Sequence, residues 1–327
     1  MNRRLFGKTT WNVSEIGFGC WGMGGGWGPR DDAEAKAAVR RALDLGVNFF
    51  DTAWIYGEGR SERVLGEALR AFGKRPSYNV ATKVPAKTMD WPARPGLDIR
   101  KAFPVDWIIQ CTEDSLKRLG LEQVDLQQMH IWTDAWVDAA EWREAADRLK
   151  KQGKIKAFGV SINDHEPDSA LKMVATGQID SVQVIYNIFD QAAEKRLFPL
   201  AQEHGVAVIA RVPFDEGSLT GSFTPDTKFP KEDWRAGYFK GERLAETCER
   251  VEKLKGLLGP DARSLSELAL KFCLAHTAVS TVIPGMRRIA NVEANCAVSG
   301  GRPLSEQTLA GLGEHAWARN FYQGAWD

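Results

Sequence analysis

The chain has 327 residues, and its 43 lysines and arginines balance 43 aspartates and glutamates, so the formal net charge is zero. This length fits one large α/β barrel or two ordinary domains, and the neutral balance argues against a nucleic-acid or acidic-membrane partner. The five cysteines are scattered without a CxxC pair, which argues against a metal site and against disulfides and favours a reducing, cytoplasmic setting.

The first seven residues carry no apolar signal core, and no stretch of about 18 apolar residues follows, so the sequence predicts no membrane span. Short apolar runs alternate instead with amphipathic helices, which are marked by capping residues and glycine stops. The predicted strands are 16–19, 47–52, 78–84, 124–129, 155–161, 181–185, 206–210 and 280–283. The predicted helices are 31–45, 62–69, 106–119, 136–151, 167–176, 192–204, 266–275 and 288–297. Eight strand–helix units in about 300 residues predict an α/β fold, a (β/α)8 TIM barrel, that occupies 1–327 as one domain.

The segments outside this repeat also have predictable positions. Residues 1–16 are expected to form a hairpin cap that plugs the N-terminal mouth of the barrel, and residues 302–327 a C-terminal helix and tail. The segments 20–30, 85–105 and 213–240 are too long to be simple connections. All three follow the C-terminal ends of strands, where barrel enzymes build their sites, so we expect long functional loops at that mouth.

The glycine-rich stretch after the first strand has the spacing of a nucleotide-binding motif. Residues 17–22 follow the pattern G-x-G-x-x-G, but a Rossmann fold requires a helix from about Gly22 and a strand-end acid about 20 residues later. The run 22–29 predicts no helix, the next helix begins at Asp31, and the next strand-end acid, Asp51, comes too late. We therefore interpret the stretch as a loop whose small residues let a ligand approach the backbone.

Four side chains lie at or just beyond the ends of three neighbouring predicted strands. Asp51 ends the second strand, and Tyr56 follows it. Lys83 lies at the end of the third strand, and His130 ends the fourth. Neighbouring strands lie about 5 Å apart, so these side chains can converge at the C-terminal mouth. Each alone has an ordinary explanation as a helix cap or a solvated side chain, but together they indicate a proton-transfer site.

These residue types together suit the reduction of a carbonyl group. A tyrosine has an unperturbed pKa of about 10, and a neighbouring Lys83 ammonium would lower it, so that Tyr56 can act as a proton donor. Asp51 would hold Lys83 in place and keep it charged. His130 would donate a hydrogen bond to the carbonyl oxygen, where negative charge develops as a hydride reaches the carbon. Because the chain has no hydride donor of its own, a nicotinamide cofactor is implied.

The residues around these positions resemble the aldo-keto reductase superfamily. The segment 51–66, which follows Asp-Thr-Ala-x-x-Tyr-Gly-x-Gly-x-Ser-Glu-x-x-Leu-Gly, is similar to its signature. Later motifs of the family are similar to segments 81–84, 125–130, 159–161, 219–221 and 283–285 and to Pro213 and Gly217. The resemblance runs from residue 5 to residue 295 and therefore covers most of the chain.

The resemblance implies an NAD(P)H-dependent oxidoreductase that reduces an aldehyde or ketone, or runs in reverse, with Tyr56 as the general acid of a tetrad completed by Asp51, Lys83 and His130. It implies that NADP(H), or alternatively NAD(H), lies across the barrel mouth. The residues implied to contact this cofactor are Cys20, Trp21, Asp51, Ser161, Gln183, Val212, Pro213, Phe214, Gly217, Leu219, Gly285, Arg287, Asn291 and Asn295. Among them, Ser161 and Gln183 would bind the carboxamide.

Two further cofactor positions depart from the family pattern. Ser161 is followed by Ile162 and only then by Asn163, so the family's asparagine contact is either displaced by one residue or lost. Arg211 replaces the aromatic residue that stacks on the nicotinamide. A guanidinium can also stack on a ring, but it adds charge, so we expect Arg211 to shift the affinity for the two cofactor forms.

A third departure lies at the adenine end, where Ala294 stands in place of a common glutamate. The pair Arg287 and Arg288 either begins a solvated helix or clamps a 2′-phosphate, because arginine at a helix N-terminus binds phosphate well. The clamp favours NADP(H) over NAD(H).

The substrate is expected to be an uncharged aldehyde, ketone or sugar, because no cluster of Arg or Lys marks the long loops, and the tryptophans there would suit a bulky carbonyl or a sugar ring. The residues expected to contact it are Trp21, Trp54, Tyr56, His130 and Trp132, although the tryptophans alternatively pack in the core. Two rival functions are a cofactor-binding partner module, as in potassium-channel β subunits, and a metal-dependent barrel hydrolase. The complete tetrad disfavours the first. The second is disfavoured because four of the five histidines fall in predicted helices or helix-start loops.

Overall fold

The structure is a computed structural model that describes residues 1–28 and 31–323. Residues 29–30, at the end of the predicted loop 20–30, and residues 324–327, at the end of the predicted tail, lie outside the described part. None of the described helices is long and apolar enough to cross a membrane. The assignment of the whole chain to one domain stays a prediction.

Within the described residues, ten strands form a two-stranded antiparallel hairpin and an eight-stranded parallel sheet. They are β1 (Arg3–Leu5), β2 (Asn12–Ser14), β3 (Phe18–Gly19), β4 (Phe49–Asp51), β5 (Asn79–Val84), β6 (Val124–Met129), β7 (Ile155–Ser161), β8 (Ser181–Ile185), β9 (Ala207–Arg211) and β10 (Val279–Val282). The sheet keeps chain order from β3 to β10. Ile16 pairs with Val282 and Gly19 pairs with Gly285, which brings β10 back beside β3. The predicted (β/α)8 barrel is therefore confirmed.

The described part of the chain contains thirteen α-helices. They are α1 (Trp21–Gly24), α2 (Asp32–Asp44), α3 (Arg60–Phe72), α4 (Ile99–Ala102), α5 (Val105–Leu119), α6 (Ala140–Lys151), α7 (Leu171–Ala175), α8 (Leu197–Glu203), α9 (Arg235–Tyr238), α10 (Arg243–Leu254), α11 (Leu265–Ala275), α12 (Ile289–Cys296) and α13 (Glu306–Gly313). Local chemistry sets their ends. The Asp31 carboxylate accepts from the N–H groups of Ala33 and Glu34 and caps α2, and Gly120 ends α5 with a left-handed φ of 64°.

Several first turns differ from the predictions. The glycine run 22–29 was expected to contain no helix, but its first residues belong to the single helical turn α1, so this prediction is wrong there. A hydrogen bond from the Met23 N–H to the Cys20 carbonyl closes the turn. A single turn requires only one such bond, and the following glycines end it. Three other predicted helices begin later than expected because their first residues form 3-10 turns, at 134–136, 167–170 and 192–194.

Two apolar layers hold the barrel together. The larger layer lies between the strands and the surrounding helices. The smaller layer lies inside the N-terminal end of the barrel and joins Phe6 and Val13 of the hairpin region to Phe49, Leu126 and Ile209 of the strands. The Phe6 ring stacks on the Phe49 ring with centroids 5.4 Å apart. The hairpin therefore plugs the N-terminal mouth as predicted, and the opposite mouth carries the polar side chains.

Candidate active site

The turn between β4 and α3 carries the first two residues of the expected tetrad. Asp51 is the last residue of β4, and Tyr56 lies half-buried in the turn that follows. The Ser61 hydroxyl donates to the Cys20 carbonyl at 2.8 Å and lies 2.9 Å from the Thr52 hydroxyl. These bonds tie the start of α3 to the ends of β3 and β4, so the turn that holds Tyr56 is fixed on both sides.

Glycine backbone packs directly against this turn. A Cβ atom added to Gly24 would lie 2.5 Å from the Tyr56 carbonyl oxygen, and one added to Gly57 would lie 2.2 Å from the Gly24 carbonyl oxygen. Both distances are too short for a real carbon atom, so only glycine permits this approach. The glycine-rich loop after β3 therefore supports the backbone of Tyr56, a role that its sequence alone did not indicate.

Lys83 connects the other groups of the site. It lies in β5 with a fully buried side chain, and its Nζ lies 2.6 Å from Asp51 Oδ2. The same ammonium donates to the Tyr56 hydroxyl at 3.2 Å and to the Thr52 carbonyl at 2.9 Å. Three acceptors thus match its three hydrogens, and the positive charge of Lys83 is fixed beside the phenol.

Two glutamines hold the other oxygen of Asp51. Gln183 in β8 donates from Nε2 to Asp51 Oδ1 at 2.8 Å, and Nε2 of Gln128 in β6 lies 3.4 Å from the same oxygen. The bond to Asp51 gives Gln183 a structural task in addition to its expected contact with the carboxamide. Gln128 is absent from the predicted site, although its place two residues before His130, on the same face of the strand, is a signal that could have identified it.

His130 follows β6 and lies beside Tyr56. The residue is 5% exposed, and its ring is edge-on to the rings of Tyr56 and Trp91, with centroid distances of 5.8 and 5.3 Å. Its Nδ1 has no hydrogen-bond partner among residues 1–28 and 31–323. A buried ring nitrogen in this state costs stability and is typical of a site that a ligand completes.

Burial and Lys83 set the charge states of these groups. Burial raises the pKa of Tyr56 above its usual 10.0, and the Lys83 charge opposes this rise without overcoming it. Burial acts to lower the pKa of Lys83, but Asp51 and Tyr56 outweigh it and raise the pKa above 10.5. Burial and the charges of Lys83 and Arg211 lower the pKa of His130 well below 6.5. Lys83 thus acts on the Tyr56 pKa in the predicted direction, but the expectation of a net lowering is wrong because burial outweighs it. At neutral pH the mouth therefore holds a phenol, an ammonium and a neutral imidazole.

The segment that begins at Arg211 has an unusual backbone. The Arg211 guanidinium, at the end of β9, donates to the Asp164 carboxylate at 2.8 Å and to the Ile162 carbonyl at 3.0 Å. Beyond it, Val212 and Glu216 have left-handed φ values of 56° and 55°. Residues other than glycine rarely adopt this backbone conformation. It costs about 1–3 kcal/mol per residue and is concentrated at functional sites.

The C-terminal tail packs on the same segment, which the sequence did not predict. Arg319 is buried and forms an ion pair with Asp215. The Tyr322 hydroxyl donates to the Glu216 carboxylate, and its ring stacks on Trp234 with centroids 5.8 Å apart. More than 100 residues separate these ion-pair and hydrogen-bond partners, so no local pattern could have revealed the contacts.

Asn163 lies just beyond β7 and is engaged within the protein. Its side-chain amide exchanges two hydrogen bonds of 2.9 Å with the backbone of Ala93 and donates to Glu166 at 2.8 Å. Of the two alternatives left by the inserted Ile162, these bonds favour the loss of the asparagine contact with the cofactor.

The residues expected at the adenosine end lie around the start of α12. Arg287 donates to the Trp27 carbonyl at 2.6 Å, and the Arg288 guanidinium lies 3.9 Å from the Glu34 carboxylate. Asn295 is buried, and its Nδ2 has no hydrogen-bond partner in the described part of the chain. The remaining predicted residues divide by exposure: Cys20, Ser161, Pro213 and Leu219 are buried, Trp54, Val212, Phe214 and Gly217 are half-buried, and Gly285 and Asn291 are exposed.

The tryptophans form two groups. The Trp21 ring lies over the Tyr56 ring with centroids 6.2 Å apart and an angle of 28° between the planes. The rings of Trp27 and Trp234 lie 5.2 and 5.1 Å from that of Trp21. These rings form an apolar wall beside the phenol. Trp132 is instead fully buried, with its ring edge-on to two further core tryptophans. Its contacts favour the packing alternative over a contact with substrate.

The polar groups of the mouth fit a nicotinamide dinucleotide. His130 Nδ1 and Asn295 Nδ2 are both buried and lack a partner among the described residues. Arg287 and Arg288 bring positive charge to the side of Asn295, where an adenosine phosphate would be bound. A long polar ligand across the mouth would therefore satisfy groups that the protein leaves unsatisfied.

Comparisons with known proteins agree with this geometry. The profile of the Aldo/keto reductase family matches residues 15–316. The chain is 32% identical to aldo-keto reductase YhdN of Bacillus subtilis (strain 168), over 90% of this chain and 87% of that protein. It is 26% identical to the NADH-specific methylglyoxal reductase of Escherichia coli (strain K12), over 91% of this chain and 93% of that protein. The solved structure of glycerol dehydrogenase AKR11B4 from Gluconobacter oxydans superposes with a TM-score of 0.78 at 28% identity, covering 96% of this chain and 94% of that one.

Proposed function

This chain belongs to the aldo/keto reductase family of NAD(P)H-dependent oxidoreductases, and we propose that it reduces an uncharged aldehyde or ketone with Tyr56 as the proton donor. The observation that carries the proposal is the position of Lys83 Nζ. It lies 2.6 Å from an Asp51 carboxylate oxygen and 3.2 Å from the Tyr56 hydroxyl. This arrangement links a buried charge to the only phenol at the end of β4, which is the requirement for a tyrosine acid.

Each residue has one task in the proposed reaction. The bound nicotinamide supplies the hydride that reduces the carbonyl carbon. Tyr56 transfers its proton to the carbonyl oxygen, and Lys83 stabilises the phenolate that remains until solvent returns a proton. Asp51 keeps Lys83 charged and oriented, and the two glutamines on its second oxygen keep the carboxylate in place. A general acid of this kind contributes a rate factor of about 10² to 10⁴.

His130 orients the substrate in this account. Because the pKa of His130 is held well below 6.5, the imidazole is neutral at working pH and does not replace Tyr56 as the acid. A neutral imidazole still has one N–H group, which can donate to the carbonyl oxygen as negative charge develops there. The wall of Trp21, Trp27 and Trp234 favours an apolar or aromatic carbonyl, or a sugar that stacks on an indole face.

We further propose NADP(H) as the preferred cofactor, because Arg287 and Arg288 supply two guanidinium groups at the adenosine end. The NADH-specific relative makes this choice worth a direct test. Arg287→Ala should weaken NADPH binding by about tenfold, as expected for one charge-assisted bond, and leave NADH binding unchanged. An Arg287→Ala protein with unchanged NADPH affinity would refute the clamp.

The activity itself is tested by an absorbance assay at the NAD(P)H band. Purified protein is offered both cofactors with a panel of aldehydes, ketones and sugars, and Tyr56→Phe is measured beside it. We expect turnover of an uncharged carbonyl by the parent protein. In Tyr56→Phe, we expect loss of turnover with cofactor binding retained. Full activity of Tyr56→Phe would overturn the assignment of the acid.

A further inference from the structure

A buried aspartate beyond β7 connects two elements of the mouth. The Asp164 side chain is 7% exposed. Its Oδ1 accepts from the Arg211 guanidinium at 2.8 Å, and its Oδ2 accepts from the Trp91 indole N–H at 2.7 Å. Arg211 ends β9, whereas Trp91 belongs to the loop after β5. One carboxylate therefore fixes a cation and an aromatic ring relative to each other.

Both partners of Asp164 face the tetrad. The Trp91 ring meets the His130 ring edge-on with centroids 5.3 Å apart. The charge of Arg211 is close enough to act, after burial and Lys83, on the pKa values of both His130 and Tyr56. The Asp164 carboxylate bonds to Arg211 and Trp91 and not to His130 or Tyr56, so its influence on the tetrad passes through these two partners.

The backbone around Asp164 is held independently of its carboxylate. Asn163 bonds to both backbone groups of Ala93, and Glu166 pairs with Arg94 at 3.3 Å. These bonds join the segment after β7 to the loop after β5. An amide in place of the Asp164 carboxylate should therefore remove the charge while the two segments stay together.

We propose that Asp164 is a positioning residue of the reductase reaction, which holds Arg211 as a charge-balanced face for the nicotinamide and Trp91 as a wall beside His130. The inference rests on the proposed function and deepens it. A planar guanidinium can stack on a ring. The nicotinamide ring carries a positive charge when oxidised and none when reduced, so an unbalanced Arg211 cation would repel the oxidised form selectively. Asp164 thereby sets the relative affinity for the two cofactor forms.

The test is isothermal titration calorimetry of the full chain with NADP⁺ and NADPH. Asp164→Asn should raise the ratio of the dissociation constant for NADP⁺ to that for NADPH by about tenfold, because the cation loses its partner. Asp168→Asn is the matched control. It removes a carboxylate of the same segment that is exposed and pairs with Arg196, not with Arg211 or Trp91, and its ratio should equal that of the parent protein.

Arg211→Met supplies the second arm and does not depend on the folding of Asp164→Asn. It removes the cation that faces the nicotinamide, so the same ratio should fall. In an Arg211→Met background, Asp164→Asn should change the ratio by less than in the parent, because Asp164 acts on the cofactor by holding Arg211 in place. The KM for the carbonyl should also rise in Asp164→Asn through the release of Trp91, with a smaller change in kcat.

The outcomes separate the two proposals. A parent protein that binds both cofactor forms and turns over, but whose ratio is unchanged in Asp164→Asn and in Arg211→Met, would overturn the role of Asp164 alone. If Asp164→Asn changed the ratio of the two dissociation constants equally in the parent and in Arg211→Met, the proposed role of Asp164 would be overturned as well. A parent protein that binds neither cofactor form would instead overturn the proposed function and, with it, this inference.

Discussion

Two buried carboxylates lie at opposite ends of this barrel, and their surroundings differ. At the N-terminal end, Asp125 of β6 accepts from the Val80 N–H at 2.8 Å, from Arg75 at 2.5 Å and from Lys156 at 2.7 Å. At the C-terminal mouth, Asp51 of β4 accepts from a lysine at 2.6 Å and from a glutamine at 2.8 Å. Both sites thus combine a buried acid with cations.

The difference lies in what the partners leave unsatisfied. Arg75 also donates to the carbonyl oxygens of Tyr78 and Gln123, so the arginine beside Asp125 is engaged entirely with groups of the protein. At the mouth, Lys83 also reaches a phenol, and the neighbouring His130 keeps a buried nitrogen without a partner in the described chain. Unsatisfied polar groups cost stability, so a buried nitrogen without a partner directly beside the Tyr56 phenol indicates that this place is built for a ligand.

The largest effect on turnover is expected from replacing Lys83, the cation beside Asp51, in comparison with Lys156, a cation beside Asp125. Lys83→Met should lower kcat by about 10² to 10⁴, because the Tyr56 phenolate loses the charge that stabilises it. Lys156→Met, which removes a cation from Asp125, is the matched control and should keep kcat within about twofold of the parent. Steady-state kinetics on both variants check this. Normal kcat in Lys83→Met, or an equal loss of kcat in both variants, would show that turnover does not depend specifically on the cation at the mouth.

A smaller loss is expected from the glycine that supports the tyrosine. Gly24→Ala places a methyl group 2.5 Å from the Tyr56 carbonyl oxygen, so the turn must move. Overpacking of this kind costs about 1–3 kcal/mol, which corresponds to a fall in kcat of about 5- to 160-fold if the displaced phenol makes the whole cost fall on the transition state. Gly96→Ala is the control, because no atom lies within 4 Å of its added carbon. Equal kcat values for the two variants would contradict the supporting role of Gly24.

The smallest effect on turnover is expected at Glu216, whose influence is on stability. Burial raises the pKa of Glu216 from 4.5 to about 8, and the negative charge of Asp215 adds to it. The folded protein therefore binds more protons here than the unfolded chain does between these two values. The free energy of unfolding contains a contribution that is present below pH 4.5 and is lost as pH rises through about 8.

Glu216→Gln cannot lose that proton, so its free energy of unfolding should exceed that of the parent by more at pH 8.5 than at pH 5. Denaturant melts at the two pH values measure the difference, with the exposed Glu232→Gln as control. The same small difference at both pH values would show that Glu216 does not titrate in this range. The expected larger difference at the higher pH would place a titrating acid in the segment after β9, at the mouth of the barrel.

The sequence was most informative where one segment carries the whole signal. Strands β6, β7 and β8 have the predicted bounds, because each is a short run with apolar residues that lies between two predicted helices. The tetrad was predictable because each member lies at or near the end of such a run. The signature also contained its own supports, since Thr52 and Ser61 bond to each other across the turn.

Features that depend on distant segments were not predictable. Nothing in the sequence distinguishes Arg319 and Asp215 from other arginines and aspartates. Their ion pair forms only because the tail packs on the segment after β9. Trp132 has the same local context as a substrate-lining tryptophan, and only packing places it in the core. The net pKa of Tyr56 likewise depends on how deeply the mouth is closed, which no motif encodes.

In this barrel, turnover depends on one buried carboxylate, Asp51, whereas the other, Asp125, contributes only to stability. The direct test is kcat/KM for Asp51→Asn and Asp125→Asn, two substitutions of the same shape in the same barrel, each measured on folded protein. Both should lose stability, of the order of 3 kcal/mol for Asp125→Asn, because a buried cation loses its partner. We expect kcat/KM to fall by about 100-fold or more in Asp51→Asn and to stay within about twofold of the parent in Asp125→Asn. Equal losses of kcat/KM in the two variants, or normal kcat/KM in Asp51→Asn, would show that turnover does not depend specifically on Asp51.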